Sequence, residues 1–253
     1  MAAPVTAILG LGREVGIAIA RQFDEANHKL MVADPNQDVL AKATGDLSEK
    51  TAYHHGDLHT TLGLRNCLAA TLEAHGRVDH VLCIPPIPDP NALAKLEMER
   101  FDKSFARTTR GAILAMRIFA EQFRSQEDEP ASGLERIRQT GTVTFVLSLS
   151  VRLTNPGQFT ASVTQNALLG VMRAGALELA ESKVRCNAIT ALRPRAEDDE
   201  PWLKARTPLG LAALADEIAD AALYLTSPKA AIITGETLTL DGGRMVLGGV
   251  LDT

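Results

Sequence analysis

Apolar residues recur along the chain in two alternating rhythms. VTAILG (5–10), HKLMVAD (28–34), TAYHH (51–55), DHVLCI (79–84), TVTFVLSLS (142–150), VRCNAIT (184–190) and GETLTL (235–240) are short runs of strand character, the third weaker than the rest. Between them lie EVGIAIARQFDEA (14–26), TLGLRNCLAATLEAHG (61–76), MERFDKSFARTTRGAILAMRIFAEQF (98–123), a stretch over roughly 158–181, and LADEIADAALYLTS (214–227), all with apolar residues at helical spacing. Strands that alternate with helices imply right-handed crossovers. The prediction is therefore a doubly wound, parallel α/β sheet with helices on both faces. One composition break, RSQEDEPASGLERIRQTG (124–141), is charged and holds Pro130 and Gly133, which predicts an exposed excursion rather than a boundary. Residues 1–253 read as a single domain.

Composition narrows the function. With 253 residues and 45% hydrophobic content the chain can bury one sizeable core. A net charge of −5 argues against nucleic acid or an anionic membrane as partner, since either needs a basic field. No apolar run approaches the roughly 20 residues needed to cross a bilayer. MAAPVTAILGLG lacks a basic leader region, so no signal peptide is read and a cytoplasmic protein is expected. The odd number of cysteines, Cys67, Cys83 and Cys186, matches no zinc spacing and predicts buried free thiols.

The first chemical motif joins the first strand to the first helix. Gly10, Gly12 and Gly16, with Arg13 and Val15 between them, form a glycine turn that lets a pyrophosphate approach the backbone at a helix N-terminus. Asp34 ends the next strand, where a carboxylate can accept both hydroxyls of an adenosine ribose.

With these residues in place the chain resembles the short-chain dehydrogenase/reductase family over nearly its whole length. The resemblance is carried by the glycine turn, by HHGDLH around Asp57, by the long helix through Gly111, by NPGQ, VRCNAIT and ITGETLTLDGG (233–243). It implies one Rossmann-like domain of about seven parallel strands and a homodimer or homotetramer. It also implies that Asp57 and the backbone of Leu58 contact adenine.

The family's active site carries over incompletely. Ser148 matches the serine that contacts the substrate carbonyl, but the tyrosine position is Ala161 and the lysine position is Gln165. The asparagine of the long helix is Thr108, the segment after the fourth strand is Cys83-Ile84-Pro85-Pro86, and a Pro-Gly after the sixth strand is Ala191-Leu192. Alanine has no proton to give, and a neutral glutamine cannot lower a phenol's pKa, although its amide can still bond a ribose hydroxyl. The chain's two tyrosines, Tyr53 and Tyr224, stand at no spacing that restores the pair, and both read as packing residues with a polar tip. His54, His55, Asp57 and His59 are dense enough to suggest zinc, but neighbours on a strand point to opposite faces, so no metal site is expected. Arg193 and Arg195 fall where the family's mobile lid begins; they hold an anion or pair with Glu197, Asp198 and Asp199.

Asp34 would repel a 2′-phosphate, whereas Arg13 would attract one. On balance NAD(H) is favoured over NADP(H). Glu14 must turn into solvent or repel the pyrophosphate. The loss of the proton donor makes the leading expectation an NAD(H)-binding pseudo-enzyme that regulates or scaffolds protein partners. The alternatives are an atypical NAD(H)-dependent oxidoreductase acting on a small carbonyl or alcohol, and a non-catalytic subunit of an active paralogue. Ile113, Leu114, Met116, Ile118 and Phe119, with Leu168, Leu169, Val171, Met172 and Leu177, spread beyond one helix face and predict an even-numbered homo-oligomer.

Overall fold

The structure, a computed structural model, describes residues 3–12, 14–45, 47–126, 140–192 and 200–249. Seven strands form one sheet: β1 (Val5–Leu9), β2 (Lys29–Asp34), β3 (Thr51–His55), β4 (His80–Cys83), β5 (Gly141–Ser148), β6 (Val184–Ala191) and β7 (Thr237–Leu240). Their order is β3-β2-β1-β4-β5-β6-β7, and every pairing is parallel. Strand order reverses between β1 and β4, and such a reversal opens a crevice at the carboxyl ends of the strands.

The central strands are apolar on both faces because both are covered. Ala7, Leu9, Met31 and Ala33 pack with α3 (Thr61–His75), α5 (Gly111–Ser125) and α6 (Phe159–Glu178). Ile8, Leu30 and Val32 pack with α1 (Glu14–Glu25), α2 (Gln37–Thr44) and α8 (Ala215–Thr226) on the other side. The buried Arg185 of β6 donates to the carbonyls of Leu225 and Thr226, which ties the end of α8 to the sheet.

Three features depart from the sequence reading. Helix α2 was not expected, although Asn36 caps it by accepting the amides of Asp38 and Val39. Helix α7 (Glu200–Arg206) was not expected either. The helix read over 98–123 is broken into α4 (Met98–Phe105), a π turn at Ala106–Arg110, and α5. The Gly111 amide bonds to Ala106 O, one residue further than an α-helix allows, so the turn carries an extra residue.

Ile118, Phe119, Leu168, Leu169 and Met172 are core residues, so they are taken up within the fold. Ile113 and Leu177 remain 40% and 81% exposed. All three cysteines are free and buried; burial raises each thiol pKa, that of Cys67 and of Cys83 to about 12, which leaves them unreactive. Among the described residues no helix is long and apolar enough to cross a membrane.

Candidate functional site

A cleft of about 350 Å³ lies at the carboxyl ends of β1, β2 and β4. Its floor is the glycine turn. Gly10 and Gly12 have φ of +85° and +51°, in the left-handed region that favours glycine. The turn also sits tight against the loop after β4: a Cβ on Gly10 would lie 2.7 Å from Ile84 O, and one on Gly12 2.9 Å from Ile84 Cγ2. A Cβ on Gly16 would meet Leu11 O at 2.3 Å, so that glycine lets the first turn of α1 close against the turn it follows. Val15 is buried in the core beneath α1 and does not line the cleft. Glu14 begins α1 with an exposed side chain and is not part of the cleft wall. Arg13 lies outside the described residues, as do Arg193, Arg195 and the excursion over 127–139.

Asp34 does more than end β2. Its Oδ2 accepts the Leu11 amide and its Oδ1 accepts the Asn36 amide, each at 2.8 Å. One carboxylate thus joins the glycine turn, the end of β2 and the start of α2, while remaining part of the cleft wall. The opposite wall is built by Leu58, His59, Arg107, Thr108 and Gly111. Asp57 is exposed beside it, and its Oδ1 accepts the His59 amide at 2.7 Å. Burial lowers the His59 pKa, and Arg107 pushes it the same way against the opposing pull of Asp57 and Asp34.

The second group of candidates sits behind the loop that follows β4. Ser148 is half-buried at the end of β5, and its Oγ accepts the Ser150 amide at 3.3 Å. Thr108 lines the cleft, but its hydroxyl donates to Ser104 O at 2.8 Å. Ala161 and Gln165 are buried on the first turns of α6. Gln165, 1% exposed, donates from Nε2 to Pro86 O at 3.2 Å, and its Oε1 has no partner among the described residues. Ser148, Ala161 and Gln165 do not line the cleft; Gln165 reaches its wall through Pro86.

Sequence reasoning missed the residue that holds this arrangement. Asn91 O accepts the Phe159 amide at 2.9 Å, its Oδ1 accepts the Thr160 amide at 3.0 Å, and its Nδ2 donates to Thr160 Oγ1 at 2.8 Å. Amides at a helix start have no partner within the helix, and Asn91 supplies one from a distant loop. The loop after β4 is therefore fixed to α6 twice, at Asn91 and at Pro86. The signal was an asparagine directly after Pro85, Pro86, Pro88 and Pro90, a run poor in amide donors.

Neither tyrosine lines the cleft. Tyr53 is partly buried and packs against the α1 side of the core, whereas Tyr224, read as a packing residue, is 42% exposed on α8. The His54 ring lies over Gly56, and His55 shares a hydrogen bond with Pro35 O, so the two rings go to different places. No group of three metal-ligating side chains occurs among the described residues.

A family model described as enoyl-(acyl carrier protein) reductase matches residues 10–244. The short-chain dehydrogenase srdC of Neurospora crassa is 26% identical over 95% of this chain and 95% of its own. A 2,5-dichloro-2,5-cyclohexadiene-1,4-diol dehydrogenase of Sphingobium indicum is 26% identical over 93% of this chain and 94% of its own. Among solved structures, the 3-ketoacyl-(acyl-carrier-protein) reductase of Brucella melitensis complexed with NADH superimposes with a TM-score of 0.83 at 24% identity, covering 95% of this chain and 98% of that one. These names correct the expectation of a pseudo-enzyme acting as regulator or scaffold. The relatives are named as dehydrogenases and reductases, and departures at individual positions of the family's active site were too narrow a basis for discarding the activity. The sheet order, the glycine turn beneath the cleft and a family match spanning nearly the whole chain make this protein a member of the short-chain dehydrogenase/reductase family.

Proposed function

We propose that the protein is an NAD(H)-dependent oxidoreductase acting on a small carbonyl compound or alcohol, by a proton route that uses no tyrosine. The observation that carries this reading is the double grip of Asp34 on Leu11 and Asn36 at the cleft wall. Each carboxylate oxygen accepts one amide and keeps lone-pair capacity for a ribose hydroxyl. A 2′-phosphate there would meet a negative charge, which favours NAD(H) over NADP(H). The cradle also fits a nucleotide, because Gly10 and Gly12 line the cleft with backbone of positive φ, as a turn that a pyrophosphate approaches requires.

When bound, the nicotinamide supplies or accepts the hydride. The chain's own part is to orient the carbonyl and move one proton. Ser148 Oγ is the hydroxyl at the family's substrate position and would donate to the carbonyl oxygen. Ala161 and Gln165 stand where the family places tyrosine and lysine, so no phenol delivers the proton. Ser148, resupplied by water, is the group left to pass it on. General acid help is worth roughly 10²–10⁴-fold, so slow turnover is expected. The test combines a titration of NADH and NADPH with turnover on a panel of carbonyls, for the wild type and Ser148→Ala. The reading requires tighter NADH binding and a loss of at least ten-fold in Ser148→Ala.

For assembly, the exposed apolar positions Ile113 and Val163 on α5 and α6 favour association with a second copy of the chain. Light scattering at micromolar concentration should give an even-numbered oligomer, and a monomer would count against it.

A further inference from the structure

The cleft stops short of the hydroxyl that is to meet the substrate. Strand β4 ends where Cys83 pairs with Phe145, before the neighbouring β5 has reached Ser148. Pro85 and Pro86 have no amide to give to a ladder, so the chain leaves the sheet there. Both line the cleft, whereas Ser148, Ala161 and Gln165 do not, and the last two are buried. The strap formed by residues 85–90 thus begins as a wall of the cleft and is bonded on its other side to α6.

The way the strap is held decides whether it can move. At its near end Ile84 donates its amide to Leu9 O at 2.9 Å, and at its far end Asn91 is bonded to Phe159 and Thr160. Between these ends, among the described residues, one hydrogen bond touches it, from Gln165 Nε2 to Pro86 O. Ile87 is 59% exposed, and Pro86, Asp89 and Pro90 also lie on the surface, so little burial opposes a displacement. Its prolines fix φ and stiffen it, so it would swing as a unit about its two ends. The closed arrangement also leaves Gln165 Oε1 buried without a partner among the described residues. Buried polar groups are nearly always paired, so this orphan disfavours the closed state and is relieved once the strap lifts.

We propose that residues 85–90 are a gate, shut in this structure by the Gln165 amide on Pro86 O, which swings aside to let the nicotinamide end of the cofactor reach Ser148. The proposal rests on the oxidoreductase reading and adds the step that admits the cofactor. Gln165 acts through the strap and is therefore a positioning residue. A side-chain amide carries two donor hydrogens and an acceptor, so Gln165 can give up Pro86 O and still be satisfied by what enters.

The rate of NADH binding reads the gate directly. Nicotinamide fluorescence would be followed by stopped flow for the wild type, Gln165→Leu and Pro86→Gly, each first checked for cooperative unfolding. If opening precedes binding, the observed rate rises with NADH concentration and then reaches a ceiling set by the gate. One hydrogen bond shifts a two-state equilibrium by roughly two- to ten-fold, so Gln165→Leu should raise that ceiling by about as much. Pro86→Gly, which loosens the strap from its exposed side and leaves α6 untouched, should raise it too, and it decides on the same criteria if Gln165→Leu does not fold. A rate linear in NADH, or a ceiling that Gln165→Leu leaves in place, would overturn the proposal, because the cleft then admits the whole cofactor without this latch; the oxidoreductase reading would survive. A raised ceiling with no hydride transfer to any carbonyl would do the reverse. Should the wild type bind no NADH, binding that appears in the variants supports the gate, and its continued absence overturns it.

Discussion

The Asp34 carboxylate accepts the Leu11 amide at 2.8 Å, across the step from the second strand to the glycine turn. The same side chain holds Asn36 on its other oxygen and is only 7% exposed. The residue that would choose the cofactor is therefore also a structural fastening of the turn that would receive it.

That double duty predicts the outcome of Asp34→Ala. Two amides lose their acceptor, and a buried donor left unpaired costs about 1–3 kcal/mol. The variant should melt several degrees lower and should also narrow the difference between NADH and NADPH binding. Asp34→Asn keeps an acceptor for one amide and should fall between. A variant that loses cofactor preference with no change in melting temperature would show that the fastening is unimportant.

Much of this was legible in the sequence. The strand–glycine–helix order around Gly10 to Gly16 and the acid at Asp34 fix the cleft's floor, because local backbone freedom and a strand-end carboxylate are written in single residues. The link from Asn91 to Thr160 spans 69 positions and leaves no local pattern. The π turn at Ala106–Arg110 was also hidden, since one extra residue in a helix shifts the apolar stripe without interrupting it. Helix α2 had a readable signal in Asn36 and the Leu40–Ala43 spacing, but at eight residues it was easily passed over. Reading the activity as lost went astray because it inferred function from the departures at Thr108, Pro85, Pro86, Ala161, Gln165, Ala191 and Leu192, whereas the relatives over nearly the whole chain are named as dehydrogenases.

The Asn91 fastening has its own consequence. Asn91→Ala leaves the amide of Thr160 without an acceptor at the start of α6, a loss comparable to removing a helix cap, about 1 kcal/mol. Hydrogen exchange should show faster exchange in the first turn of α6 while the middle of the helix stays protected. Uniform loss of protection along α6 would mean that Asn91 supports the whole domain rather than this junction.

Acid should unfold the protein through two histidines far from the cleft. His28 and His80 are buried with ring centroids 5.6 Å apart, and they share hydrogen bonds with Thr6 and Thr142. Burial lowers the His28 pKa from 6.5 to about 4, with Asp79 opposing. Burial lowers that of His80 too, helped by His28, Arg185 and Arg77. Because the folded pKa values lie below the unfolded ones, stability is full above pH 6.5 and falls as pH drops from there toward 4. His28 alone accounts for about 3 kcal/mol over that window, at about 1.4 kcal/mol per pH unit. Denaturant midpoints between pH 4.5 and 8 should follow this slope, and His28→Gln should flatten it.

Restoring the family side chains should help little. In Ala161→Tyr with Gln165→Lys, the new phenol must fit a buried alanine site, and the new ammonium must be held at a position 1% exposed. Thr108 would still spend its hydroxyl on Ser104 O. Turnover should rise less than ten-fold, measured as NADH oxidation in the folded variant. A larger rise would show that only the proton donor had been missing.

The most direct test of the central claim follows the hydride itself. NADH carrying deuterium at the transferable position would be incubated with the protein and a carbonyl panel, and the alcohol products examined by mass spectrometry. An oxidoreductase must place deuterium on the former carbonyl carbon of at least one product, and Ser148→Ala must lower that yield by ten-fold or more. NADH that binds yet transfers no deuterium to any carbonyl above the protein-free control would contradict the account.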